Sequence, residues 1–324
     1  MAIILRRMLR GILLLLLFLL VVAGVLTTIC LSSANHPVSQ ATPARIVRLQ
    51  QHVDRLCEQA RYGEDKQFAR KYIAEQLKKA GWTVQLQYFT NSEGETHCNI
   101  SALRPGKSPQ RYIIGAHYDA CDTGNSNPGA DDNASAVAVL LELAHSLPQA
   151  PAQYGIELVA WDCEEPPYFD TEDMGSVNHA ASCTPASVRA VICLEMLGYY
   201  STEPGSQPEL FPGHRLLLPT IGNFTAIIGD WNSLGLARTA FRALSSELPC
   251  VRLNIPFAQE SALYFSDHRS YAAVNIPAIM ITDTAMLRNP NYHTAEDLPS
   301  TLSFENIARN AQGVIRLARQ LMNP

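Results

Sequence analysis

Residues 112–119 read Tyr-Ile-Ile-Gly-Ala-His-Tyr-Asp. Tyr112–Ala116 is a short apolar run, the pattern of a strand buried on both faces. His117 closes the run, and Asp119, two residues on, falls on the same face by the strand's period of two. The pattern recurs downstream. Gly155–Trp161 runs into Asp162-Cys163-Glu164-Glu165, Val188–Leu194 runs into Glu195, and Ala278–Ile281 precedes a polar loop holding His293. Asn99–Leu103 is another apolar run, and Trp82–Phe89 alternates as a half-buried strand. Helical spacing lies between and around these runs. Pro43–Ala60 places Ile46, Leu49, Val53 and Leu56 on one face, and Lys66–Ala80 repeats that pattern before Gly81, a helix-stop signal. Ala134–Leu147 and Ser303–Leu321 are further helices. Strands alternating with helices predict a three-layer α/β/α domain around a mostly parallel mixed central sheet. Sheets of that kind hold their sites beyond the strand ends.

Composition narrows the function. The 324 residues are 47% hydrophobic and 17% charged, which excludes a disordered chain. Lys and Arg together number 25 against 30 acids, a net charge of −5. A nucleic-acid partner is excluded on that balance, because neutralising phosphates needs a positive surplus. No internal repeat is found. No linker-like stretch divides residues 43–324, so they are read as one catalytic domain. Thr202–Pro219, rich in proline, reads as a long surface loop near the sheet edge.

The N-terminus carries a different signal. Residues 1–10 hold Arg6, Arg7 and Arg10 and no acid, a basic tip. Ile12–Leu31 is almost wholly apolar, and about 20 residues at ~1.5 Å each span a bilayer's ~30 Å core. Residues 11–31 are therefore expected to form one transmembrane anchor. The arginines set the tip in the cytoplasm and the catalytic domain outside it. The rival reading is a cleaved signal, with Ser32-Ser33-Ala34 as its small residues and a secreted or periplasmic product. Residues 32–42 read as a linker. Eight cysteines occur with no C-x-x-C spacing, which excludes a zinc knuckle. Most of them are read as small buried hydrophobes.

Each acid or histidine has an ordinary explanation taken alone. His117 could be a loop histidine, and Asp131-Asp132-Asn133 could cap the helix that follows. Glu164-Glu165 could be a solvated loop, although adjacent carboxylates at a buried strand end call for a cation. Glu195 and His293 mean little singly. Ser266-Asp267-His268 is no nucleophile–base pair, since neighbours in a loop cannot form one.

Taken together, the segments are specific. His117-Tyr118-Asp119, Gly129-Ala130-Asp131-Asp132-Asn133-Ala134-Ser135, Glu164-Glu165, Glu195-Met196-Leu197-Gly198 and Tyr292-His293-Thr294 resemble, in order, the motifs of the di-zinc exopeptidases of peptidase clan MH. That group includes aminopeptidases, glutamate-carboxypeptidase-like enzymes and the related glutaminyl cyclases. The resemblance covers essentially all of 43–324. It implies two zinc ions per chain, with Asp132 bridging, His117 and Glu195 completing one site, and Glu165 and His293 completing the other. It also implies Glu164 as general base and Asp119 as the carboxylate orienting His117. The expected activity is hydrolysis at a peptide terminus, most of all as an aminopeptidase on peptide substrates. The alternatives are a glutaminyl-cyclase-like acyltransferase, whose branch lacks the His117 histidine, and a non-catalytic receptor-like ectodomain, which would have lost ligands. One position departs from the pattern: Glu195 stands where the family commonly has Asp, one methylene shorter.

Overall fold

The computed structural model describes residues 31–34, 40–124, 127–209, 214–216, 218–255 and 264–324. In chain order the elements are β1 (Leu31–Ala34), α1 (Pro43–Leu56), α2 (Lys66–Lys79), β2 (Thr83–Thr90), β3 (Thr96–Arg104) and β4 (Arg111–His117). A π-turn, Ala130–Ser135, leads into α3 (Ala136–Ser146), followed by β5 (Gly155–Trp161), α4 (Gly175–Ser182), β6 (Val188–Glu195) and β7 (Thr225–Gly229). Then come α5 (Leu234–Leu244), β8 (Cys250–Asn254), α6 (His268–Ala273), β9 (Ala278–Thr282) and α7 (Phe304–Met322).

The strands form one sheet in the order β1-β8-β7-β9-β6-β4-β5-β3-β2. Its centre, β5-β4-β6-β9, is parallel throughout. The flanks are antiparallel at β2–β3, β3–β5, β7–β9 and β1–β8, with β7–β8 parallel. The sheet is thus mixed rather than mostly parallel, and the expectation holds for its centre. The central strands read as continuous apolar runs because both faces are covered. On one face Ile114, Ala116, Leu158, Ile192 and Ile279 meet α3 and its neighbours. On the other, Ile113, Val159, Trp161 and Val191 meet Ala180 of α4 and Tyr271 of α6.

Two helices show how the sequence sets these layers. In α3 every residue from Ala136 to Ala144 is buried, so the helix is apolar all round, as an interior helix must be. Its one buried acid, Glu142, accepts from Arg45 at 2.9 Å and from Arg48 at 2.8 Å, both on α1. By contrast α7 buries one stripe, including Ile307, Ala311, Val314, Ala318 and Leu321, and is capped by Ser303. Gly115 in β4 allows a close approach. A Cβ there would lie 2.4 Å from the Trp161 ring, so β4 and β5 can lie side by side only with no side chain at 115.

Two expectations are corrected. Ser32–Ala34, read as linker, pairs antiparallel with β8 as an edge strand, and Arg252 donates to Ser32 Oγ at 2.9 Å. The 202–219 stretch is not merely surface: Gln207 is buried and accepts from Thr284 Oγ1 at 2.9 Å and Arg288 Nε at 3.1 Å. The anchor expected over 11–31 lies, but for Leu31, outside the described residues. Among the described residues no helix is long and apolar enough to cross a membrane. The seven described cysteines are all unpaired, and all but Cys57 are buried.

Candidate active site

The site is assembled where the parallel strands end. In register His117 of β4 lies beside Trp161, the last residue of β5, and Glu195 ends β6. The chain after β5 turns back under Asp119. That carboxylate accepts the backbone N–H groups of Glu164 at 3.2 Å and Glu165 at 3.1 Å. Its Oδ1 is also 3.4 Å from His117 Nδ1. One acid therefore sets the orientation of three residues.

Asp132 stands in the π-turn before α3, where non-helical φ and ψ turn its side chain to the strand ends. Gly129 makes this turn possible: its φ is +58°, and a Cβ would fall 2.3 Å from Asp132 O. The side of Asp131-Asp132 is chosen by hydrogen bonds. Asp131 faces inward, accepting from Gly198 N and Asn289 Nδ2, each at 2.8 Å. Asp132 faces the site. Its Oδ1 is 3.3 Å from His117 Nε2, and its Oδ2 is 3.2 Å from His293 Nε2. Glu195 Oε2 lies 3.5 Å from His117 Nε2, Glu164 Oε2 lies 3.8 Å from it, and Glu165 Oε2 is 2.9 Å from His293 Nε2. All seven residues singled out in the sequence thus meet in one place.

The longer side chain at 195 is accommodated by a residue that sequence reasoning passed over. Ser266 Oγ donates to Glu195 Oε2 at 2.6 Å and holds it against His117. Four more supports have roles that only the structure shows, and two of them, Asp297 and Arg61, belong to none of the motifs read from the sequence. Asp297 accepts the N–H groups of Asp131 at 2.9 Å and Asp132 at 3.0 Å. Asn133 ties the turn to β6, accepting from Met196 N at 2.9 Å and donating to Leu194 O at 3.1 Å. Buried Arg61 donates to the carbonyls of Tyr118, Pro128, Gly129 and Asp132. The Tyr292 ring stacks on His293 at 3.7 Å. His268, by contrast, is buried against the Tyr264 ring.

The electrostatics call for a cation. Burial, then Asp132, pushes Glu165 up to about 8. Burial also drives Glu164 well above the carboxylate range, with Glu195 and Glu165 adding to it against the pull of His117. Burial works against a charged His293, yet Asp132 and Glu165 raise it to about 10. Acids so close together repel one another unless a positive charge lies among them. His117 Nε2, His293 Nε2 and Glu165 Oε1 are buried with no hydrogen-bond partner, although native proteins pair nearly all such atoms. Nitrogen and carboxylate donors converging on one place in this way fit a divalent metal, zinc foremost. A second group, His97, Asp162 and Cys163, does not fit one. The Lys66 ammonium already occupies its centre, 2.7 Å from Asp162 Oδ1 and 2.9 Å from His97 Nδ1.

Replacing Asp119 by Asn puts an amide NH2 where one of these oxygens stands. Metal content should survive, while kcat falls by about 10–100-fold, the usual cost of losing an outer partner of a ligand. Metal analysis with steady-state kinetics measures both, and unchanged kcat would show that Asp119 does not orient the site.

Comparison with known proteins agrees with this geometry. Residues 99–318 match the model of peptidase family M28, and the chain belongs to that family. It is a metallo-exopeptidase by class. The uncharacterized protein YfbL of Escherichia coli is 40% identical over 76% of this chain and 78% of its own. Leucine aminopeptidase 1 of Trichoderma harzianum is 27% identical over 76% of this chain, which spans 59% of that protein. Two solved structures share the fold. The glutaminyl cyclase of Porphyromonas gingivalis has TM-score 0.66 and 19% identity, covering 87% of this chain and 100% of its own. A Zn-dependent exopeptidase from Parabacteroides distasonis has TM-score 0.63 and 18% identity, covering 87% and 99%.

Proposed function

We propose that this protein is an aminopeptidase that holds two zinc ions, His117 and Glu195 on one, Glu165 and His293 on the other, with Asp132 shared. The observation that carries the reading is the pair of Asp132 oxygens, one 3.3 Å from His117 Nε2 and the other 3.2 Å from His293 Nε2. When bound, zinc supplies Lewis acidity and brings the pKa of water to near neutrality. The rest falls to the chain's own groups. Glu164 accepts the proton of the attacking water as its oxygen bonds to the scissile carbonyl carbon. When the C–N bond breaks, Glu164 returns that proton to the leaving amine. Asp119 keeps Glu164 and His117 aligned through both transfers.

An apolar cavity opens beside Glu195, walled by Phe224, Ile228, Phe265, Met280 and Met286. It suits the side chain of an apolar terminal residue, a reading that the leucine aminopeptidase relatives support. Five donor-bearing ligand positions count against a receptor-like ectodomain.

The test is zinc analysis of the full-length chain with hydrolysis of amino-acid p-nitroanilides. Two zinc ions per chain, with leucine preferred over lysine or glutamate derivatives, is the expected result. Cyclisation of N-terminal glutamine without hydrolysis would overturn it. A fragment starting at residue 35 is a poor substitute, because it removes β1 from the sheet.

We also propose that Ile12–Leu31 anchors the chain, on the strength of its apolar length and the arginines before it. Full-length protein should then stay in the membrane pellet through a carbonate wash. A mature N-terminus at Asn35 would rule the anchor out.

A further inference from the structure

Beyond the donors already described, one more side chain reaches the site. After β4 the chain runs Tyr118-Asp119-Ala120-Cys121, and this stretch is held firmly. Tyr118 N donates to Trp161 O at 2.9 Å, Ala120 N donates to Arg61 O at 3.0 Å, and Asn127 Nδ2 donates to Cys121 O at 3.2 Å. Those bonds bring the buried Cys121 against the Glu165–His293 half of the site. Cys121 Sγ, a Glu165 oxygen and a His293 ring nitrogen all lie within 4.8 Å of one another. Independently, Glu165 is 4% exposed, and its Oε1 has no hydrogen-bond partner.

We infer that Cys121 is a further ligand, as thiolate, to the metal held by Glu165 and His293. The inference rests on the two-metal reading of the site and adds to it a sulfur donor on one side only. Donor atoms around a tetrahedral zinc stand about 3.4–3.7 Å apart, given Zn–S near 2.3 Å and Zn–N/O near 2.0–2.2 Å. A spread of up to 4.8 Å closes to that by side-chain rotation. Binding balances as loss of the thiol proton to solvent with formation of one metal–sulfur bond. The two sites then differ in kind. The His117–Glu195 site is built from nitrogen and oxygen alone and accepts harder ions. The Glu165–His293 site gains a soft donor that selects zinc, cobalt or cadmium over magnesium or manganese. Four protein ligands, Asp132, Glu165, His293 and Cys121, make it the more slowly exchanging of the two.

Cobalt reports the ligand directly. The full-length metal-free protein loaded with Co2+ should show visible d–d bands and a near-ultraviolet thiolate-to-cobalt charge-transfer band. Cys121→Ser should keep the d–d bands and lose the charge-transfer band, and should bind the slowly released zinc more than about 100-fold less tightly, since a lost ligand exceeds the ~10–100-fold cost of an outer-shell change. Cys163→Ser should keep the band, because that thiol belongs to the Lys66 group. Wild-type protein with d–d bands and no charge-transfer band overturns the inference without touching the two-metal reading, and needs no variant to fold. A band that survives Cys121→Ser, or disappears in Cys163→Ser, overturns it as well. Absence of all cobalt absorption overturns the two-metal reading itself, and the inference with it.

Discussion

Glu164→Gln should lower kcat by about 10²–10⁴-fold, the usual contribution of a general acid–base group, while KM and zinc content stay close to wild type. The Glu164 side chain is poised for this role. Its backbone N–H is pinned by Asp119 and its Oε2 lies 3.8 Å from His117 Nε2, close to the donors but behind Asp132 and Glu195 in the approach to that nitrogen. Burial, with Glu195 and Glu165 adding, raises the Glu164 carboxyl well above the usual carboxylate range, and a bound divalent cation would pull it back down. Gln matches the acid in size, so the variant should melt close to the wild type. Metal analysis beside the kinetics separates two errors. Loss of zinc would mean that Glu164 and Glu165 have exchanged roles, and near-full kcat would remove Glu164 from proton transfer.

What the sequence discloses and what it conceals follow from where the stabilising contacts lie. The central strands were legible because a strand buried on both faces leaves an unbroken apolar run, and the acids and histidines at its end break the run abruptly. Asp132 was placed by its neighbours Asn133-Ala134-Ser135. The far flank was not legible. Thr225–Gly229 and Cys250–Asn254 are identified by their pairing with each other and with β9 and β1. Leu31–Ala34, as Leu-Ser-Ser-Ala, lacks the β-branched and aromatic residues that mark strands. Its pairing with β8 comes from far along the chain. The same holds for the supports of the site. Asp297 is one acid in a polar loop until the amides of Asp131 and Asp132 meet it across 166 and 165 residues. Ser266 is one serine in a loop until its hydroxyl meets Glu195 across the fold at 2.6 Å.

Asp132 carries the largest expected effect, since one of its oxygens faces each histidine. Asp132→Ala should weaken zinc at both positions by more than the ~10–100-fold of an outer-shell loss and abolish hydrolysis. Glu165→Ala or His293→Ala should release only the one zinc they share. Asp131→Asn is the decisive partner experiment. Asp131 is fully buried, and burial with Asp283 beside it raises its pKa well above the usual range, so a neutral amide is the mildest replacement there. Its Oδ1 can still accept from Gly198 N. At Oδ2 an NH2 would confront the Asn289 amide that donates there at 2.8 Å, and one unsatisfied buried donor costs about 1–3 kcal/mol. The variant should therefore unfold at lower denaturant and still bind both zinc ions. Zinc titration of the two variants side by side decides between the neighbours. Retention of both ions by Asp132→Ala with their loss from Asp131→Asn would assign the bridge to Asp131, and the geometry that places one Asp132 oxygen before each histidine would have to give way with it.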